Sequence, residues 1–168
     1  GYRSVPVKVG EEWKCLTKLG MLKLLPKSIF ENKKADDVKI EPYYVSERDP
    51  LSVARNMMRD LHIGRLVVVD EKGKPIGLLD ELDVLSAITD RQRTRKGELI
   101  GEKIRLDKIA VGSRTFLQDP VRVEEDASLL EVVEKMIKTK TATVFVEGQS
   151  FGIITPTCLL KLLSPEVS

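Results

Sequence analysis

Cysteine, histidine and aromatic side chains are all scarce in this 168-residue chain, which has two cysteines, one histidine, 5% aromatics and a single tryptophan. Cys15 and Cys158 stand far apart, in neither a metal-type nor a redox-type spacing. A disulfide scaffold is therefore excluded, and both read as buried or incidental thiols. The lone His62 has no metal partner near it in sequence and reads as a residue of a helix C-terminal turn, favourable to the helix dipole. No run approaches the roughly 18 apolar residues of a membrane span, and the N-terminus lacks a signal-peptide pattern, so a cytoplasmic chain is expected. Charge of one sign is also missing: 28 basic against 26 acidic residues leave a formal net charge of +2. The whole-chain field thus gives no argument for nucleic acid or an acidic membrane. No nucleophile elbow, phosphate loop or metal signature occurs, so an enzyme is not expected. Asn and Gln are sparse beside abundant Lys and Glu, which leans towards a thermophilic source. The first residue is Gly, and the natural chain is expected to begin before it.

What is present is a duplication. Glu41-Pro42-Tyr43-Tyr44-Val45 aligns with Asp119-Pro120-Val121-Arg122-Val123 at an offset of 78 residues, which also pairs Leu51 with Leu129, Ala54 with Val132 and Met58 with Met136. By Gly77 and Gly152 the offset is 75. The missing residues fall at a turn, where Asp70 to Lys74 is replaced by the shorter Glu147 to Ser150, and turns tolerate length changes. A period this long with two copies predicts a duplicated domain half. The apolar share of 42% suffices for a real core.

Each copy reads strand, helix, strand, hairpin, strand, helix. In the first, Tyr43 to Val45 is extended, Asp49 and Pro50 open a helix with Leu51, Ala54, Met57, Met58 and Leu61 inward, and Gly64 ends it. Leu66 to Val69 and Ile76 to Leu79 form the hairpin, and Asp80 caps a second helix. In the second copy Asp126 caps the first helix, Thr143 to Val146 and Phe151 to Ile154 form the hairpin, and Thr155-Pro156 starts the last helix. Between the copies, Arg91 to Lys96 is polar and basic. Before them, Arg3 to Val9 looks extended, and Glu11 to Leu25 carries a helical stripe of Trp13, Leu16, Leu19, Leu22 and Leu25.

These duplicated features, in particular Val67-Val68-Val69-Asp70-Glu71-Lys72-Gly73 and the twice-repeated glycine step into a helix, resemble the tandem cystathionine-β-synthase-type (CBS) domain pair, or Bateman module. The resemblance covers about Asp37 to Leu163. It implies an α/β fold of two βαββα repeats packed with pseudo-two-fold symmetry, plus an N-terminal extension, and two clefts. The expected division is 1–36 extension (an extended segment plus a helix), 37–90 first repeat, 91–108 linker and 109–168 second repeat. It also implies a homodimer with a regulatory role and no tightly bound cofactor. The implied ligand is an adenosine compound: AMP, ADP, ATP, S-adenosylmethionine or methylthioadenosine.

The family's ligand motif runs Gly, two mostly apolar residues, Thr or Ser, two variable residues, then Asp. The glycine admits the ligand to the backbone, the hydroxyl sits at a helix N-terminus where phosphate is favoured, and the carboxylate accepts from the ribose hydroxyls. The first copy reads Gly77-Leu78-Leu79-Asp80-Glu81-Leu82-Asp83: the carboxylate is kept as Asp83 and the hydroxyl has become Asp80. The second reads Gly152-Ile153-Ile154-Thr155-Pro156-Thr157-Cys158: the hydroxyl is kept as Thr155 and the carboxylate has become Cys158. Three carboxylates at the first site, Asp80, Glu81 and Asp83, would repel a polyphosphate and favour an uncharged or sulfonium adenosine. Thr155 and Thr157 suit phosphate better.

Each residue has a plainer reading beside this one. Asp80 and Thr155 are good N-caps, Asp83 suits the first turn of a helix, and Gly77 and Gly152 can mark tight packing. Arg91 and Arg93 could contact ligand phosphates or an acidic partner, or form a solvated face. The extension either packs its helix and its Trp on the CBS pair or a dimer, or is the tail of an upstream domain. Its leucines argue against nucleic-acid binding. The alternative function is a ligand-free dimerisation scaffold for an unknown regulated partner.

Overall fold

The computed structural model describes residues 4–89, 106, 109–112 and 117–163. It divides into a central unit, Pro42–Asp119, and a terminal unit built from both chain ends, Gly1–Glu41 with Pro120–Ser168.

In the central unit, β3 (Tyr44–Ser46) pairs parallel with β4 (Arg65–Val69), and β4 pairs antiparallel with β5 (Pro75–Asp80). A parallel pair needs a crossover, and α2 (Leu51–Asp60) supplies it. Helix α3 (Glu81–Thr89) follows β5 directly. Leu51, Ala54 and Met58 of α2 are buried with Val45, Leu66, Val68, Leu79, Val84 and Ala87. The spacing of one turn puts those three α2 residues on one face, as expected from the sequence. Leu61, expected on the same face, is 42% exposed because the helix ends one residue before it.

The terminal unit repeats this plan. Strand β6 (Val121–Glu124) is parallel to β7 (Val144–Glu147), which is antiparallel to β8 (Gly152–Ile154); α4 (Leu129–Thr139) crosses over and α5 (Pro156–Lys161) follows. Residues of the extension complete its core, since Leu22, Phe30 and Ala35 are buried with Leu129, Val132, Met136, Val144 and Leu159.

Two sequence expectations at the helix starts are corrected. The N-caps are Pro50 and Ser128, not Asp49 and Asp126, and neither makes a side-chain capping bond. Asp49 is engaged one turn earlier, accepting from the Ser46 N–H at 3.1 Å. A neighbouring backbone carbonyl serves each first helical donor instead: Leu51 N–H donates to Ile109 O at 2.8 Å, and Leu129 N–H to Lys33 O at 2.9 Å.

The helix ends also match. His62 at φ 54° and Lys140 at φ 56° are left-handed. Ile63 N–H then reaches Met58 O at 3.0 Å, and Thr141 N–H reaches Met136 O at 3.1 Å. This six-to-one closure is a Schellman ending, so His62, and not Gly64, holds the terminating conformation.

The largest correction lies in the extension. Residues 11–25 do not form one helix: β1 (Ser4–Val9) and β2 (Glu12–Thr17) form an antiparallel hairpin, and only Lys18–Leu22 is helical, as α1. Gly10, at φ 64°, opens the two-residue turn, which is the conformation that type II′ hairpins demand at that position. Val5, Val7 and Val9 alternate as a strand should, but the i, i+3 spacing of Trp13, Leu16 and Leu19 mimics a helix. Trp13 is consequently 71% exposed within this chain.

Each sheet gains one further bridge. Ile40 and Ile153 exchange backbone hydrogen bonds, both at 2.9 Å, beside β8; Leu78 and Gln118 do so at 3.0 and 2.9 Å beside β5. Ile40 and Gln118 both stand two residues ahead of the repeated proline. The segment preceding each repeat therefore finishes the sheet of the other repeat.

Candidate functional site

The central site forms where β5 runs into α3. Asp80, the last strand residue, is 5% exposed, and a buried carboxylate needs compensation. Arg65 provides it from the start of β4, directly opposite Asp80 in register, with Nε donating to Oδ2 at 2.9 Å. The other oxygen, Oδ1, accepts the Leu82 N–H at 2.9 Å. Asp83 returns the favour, its Oδ2 accepting the Asp80 N–H at 2.9 Å. The two carboxylates form a reciprocal capping box on the positive end of a nine-residue helix.

Asp83 Oδ2 has a second donor, Gln118 Nε2 at 2.8 Å. Gln118 comes from the segment that bridges β5, and Leu117 beside it covers Gly77. A Cβ on Gly77 would meet the Gln118 carbonyl at 3.3 Å and Leu117 Cβ at 3.4 Å. Gly77, Asp80, Asp83 and Gln118 thus stand together, with Asp83 Oδ1 making no hydrogen bond among the described residues. The picture of three unscreened carboxylates is modified, because Arg65 pairs with Asp80.

The matching positions of the terminal unit carry different chemistry. Gly152 lies under Lys39, whose Cδ would stand 2.9 Å from an added Cβ. The Lys39 ammonium is held by Asp36 at 2.5 Å, the Ser150 carbonyl at 2.9 Å and Glu125 at 3.5 Å. Its pKa is raised, chiefly by the hydrogen bond to Asp36, against the opposing effect of burial. The Thr155 hydroxyl caps α5, accepting the Cys158 N–H at 3.4 Å and lying 3.2 Å from Cys158 Sγ. Thr157 Oγ1 accepts from Lys18 Nζ at 2.9 Å. Thr143 occupies the place that Arg65 has in the central unit; it is buried, and its hydroxyl has no hydrogen-bond partner among the described residues. Arg91 and Arg93 lie outside the described residues.

Sequence reasoning found both halves of the capping box but missed Arg65, Gln118 and Lys39. Extending the repeat alignment upstream of Pro42 and Pro120 pairs Lys39 with Leu117 and Ile40 with Gln118. That pairing was the available signal. Cys158 is buried and Cys15 exposed. Among the described residues no group of three His, Cys, Asp or Glu could hold a metal ion, and no helix is long and apolar enough to cross a membrane.

Two βαββα repeats, each closed by the segment before the other, define a duplicated module of the α/β class. Residues 35–90 and 114–165 each match the CBS domain, so the chain belongs to the CBS domain family and carries a tandem pair. An uncharacterized protein of Methanocaldococcus jannaschii is 33% identical over 124 residues, which are 71% of this chain and 29% of that protein. The chain therefore spans less than a third of that relative. Among solved structures, a CBS domain-containing protein of unknown function from Bacillus anthracis is 22% identical with a TM-score of 0.64, covering 84% of this chain and 100% of that one. CBSX2, solved in complex with AMP, is 16% identical with a TM-score of 0.60, covering 79% of this chain and 96% of that one. Both likenesses show the fold.

Proposed function

We propose that this chain is a regulatory adenosine-binding module whose principal site is in the central unit. The observation that carries this reading is Asp83. Its carboxylate is fixed at a helix start through one oxygen and offers the other to a donor, beside a glycine. A ribose diol is a donor pair of the right kind.

The negative charge of the Asp83 carboxylate favours methylthioadenosine or S-adenosylmethionine over ATP. AMP and ADP fall between, with Arg91 and Arg93 as candidate phosphate contacts. Gly152, Thr155 and Thr157 make the corresponding second site, of lower affinity because both hydroxyls already have protein partners. The AMP complex of CBSX2 supports an adenosine ligand by fold analogy. The role is regulatory rather than catalytic, and the chain works as a homodimer acting on an unidentified partner.

Calorimetric titration of methylthioadenosine, S-adenosylmethionine, AMP and ATP into the wild type and Asp83→Ala tests this. Binding of one adenosine compound that is lost in the variant is expected; binding unaffected by Asp83→Ala would overturn the assignment of the site. The second reading, a ligand-free dimerisation scaffold, is favoured by the exposed Leu61, Leu82 and Leu85 on the α2 and α3 side of the central unit. It predicts no heat with any of the four compounds and a dimer that persists without them.

A further inference from the structure

Resting on the reading of Asp83 as a ribose acceptor, we infer that the Gln118 side-chain amide competes with the ligand's diol for that carboxylate, so that the chain carries an internal competitor of its own ligand. A carboxylate that receives two vicinal hydroxyls uses both oxygens. Asp83 Oδ2 already accepts twice, from the Asp80 N–H at 2.9 Å and from Gln118 Nε2 at 2.8 Å. The Asp80 N–H is part of the helix start and cannot leave without dismantling the cap. The Gln118 amide sits on a rotatable side chain and is exposed, so it is the donor that yields.

The other unit supports the pairing of these two positions. There the equivalents of Gln118 and Asp83 are Ile40 and Cys158, neither of which can make this contact. The polar pair is present in one unit and absent as a pair from the other. Gln118 is also tied through its backbone to Leu78 and lies two residues before Pro120, where the second repeat begins.

The test measures adenosine and 2′,3′-dideoxyadenosine affinity by calorimetry for the wild type, Gln118→Ala and the volume-retaining Gln118→Leu. Adenosine is expected to bind both variants about tenfold more tightly, the scale of one charge-assisted hydrogen bond, with dideoxyadenosine unchanged. Affinity equal to or weaker than wild type for adenosine overturns the competition and leaves the ribose site standing. A gain shared by the dideoxy compound also overturns it, since the competition is with the diol. If neither nucleoside binds the wild type or either variant, the ribose assignment and the competition fall together.

Discussion

Arg65 and Asp80 face each other across the β4–β5 hairpin, Nε to Oδ2 at 2.9 Å, where the terminal unit holds Thr143 and Thr155. Asp80 is nearly inaccessible, and its carboxylate is paired with Arg65 and accepts the Leu82 N–H. Removing one partner of a buried pair costs about 3–5 kcal/mol, whereas replacing both costs far less. Arg65→Thr alone is expected to destabilise the protein by a few kcal/mol. Arg65→Thr with Asp80→Thr, the arrangement of the other unit, is expected to recover most of that loss. Urea unfolding of the two variants checks the pair.

His62 and Lys140 occupy the same step of the same ending, at φ 54° and 56°. A side chain in the left-handed region costs about 1–2 kcal/mol, partly offset for glycine by its greater freedom in the unfolded chain. His62→Gly and Lys140→Gly are each expected to raise stability by up to about 1 kcal/mol, and the two gains should add because the sites share no partners. Thermal unfolding of the single and double variants measures this.

Gly112 is required for a different reason. A Cβ there would stand 2.8 Å from Glu47 Cβ and 2.9 Å from Glu47 O, while the Gly112 N–H donates to that carbonyl at 2.8 Å. The clash is with main chain, which cannot swing aside. Gly112→Ala is expected to cost about 1–3 kcal/mol by overpacking. Gly148→Ala, which meets only the movable Glu125 carboxylate, is expected to cost less in the same denaturation assay.

The chemistry at Asp80 and Asp83 was legible because a helix start is a local event: cap, first turn and preceding glycine all lie within seven residues. The duplicated strands were legible because Leu66 to Val69 and Val144 to Val146 are apolar runs with a turn behind them. Arg65 and Gln118 were not, since their partners lie 15 and 35 residues away and only the sheet register brings them together. The extension misled for a physical reason as well. Six strand residues with apolar side chains at Trp13 and Leu16 satisfy a helical spacing equally well, and only Gly10 with the alternating valines before it separates the two.

Lys39 gives the pH dependence a definite sign. Its ammonium lies among Asp36, Glu125 and the Ser150 carbonyl, its side chain is 13% exposed, and its pKa is raised above 10.5, first by the Asp36 hydrogen bond. A group that holds its proton more tightly when folded contributes stability that is fully present below the unfolded pKa and is lost as pH rises through the folded one. The loss therefore falls above about pH 10, on the alkaline limb. Lys39→Met keeps the aliphatic chain over Gly152 and removes the charge. The variant is expected to be less stable than the wild type at pH 8, and the gap should narrow as pH rises from 9 to 12. Urea unfolding across that range measures the gap, and a constant difference would mean that Lys39 acts there by packing alone.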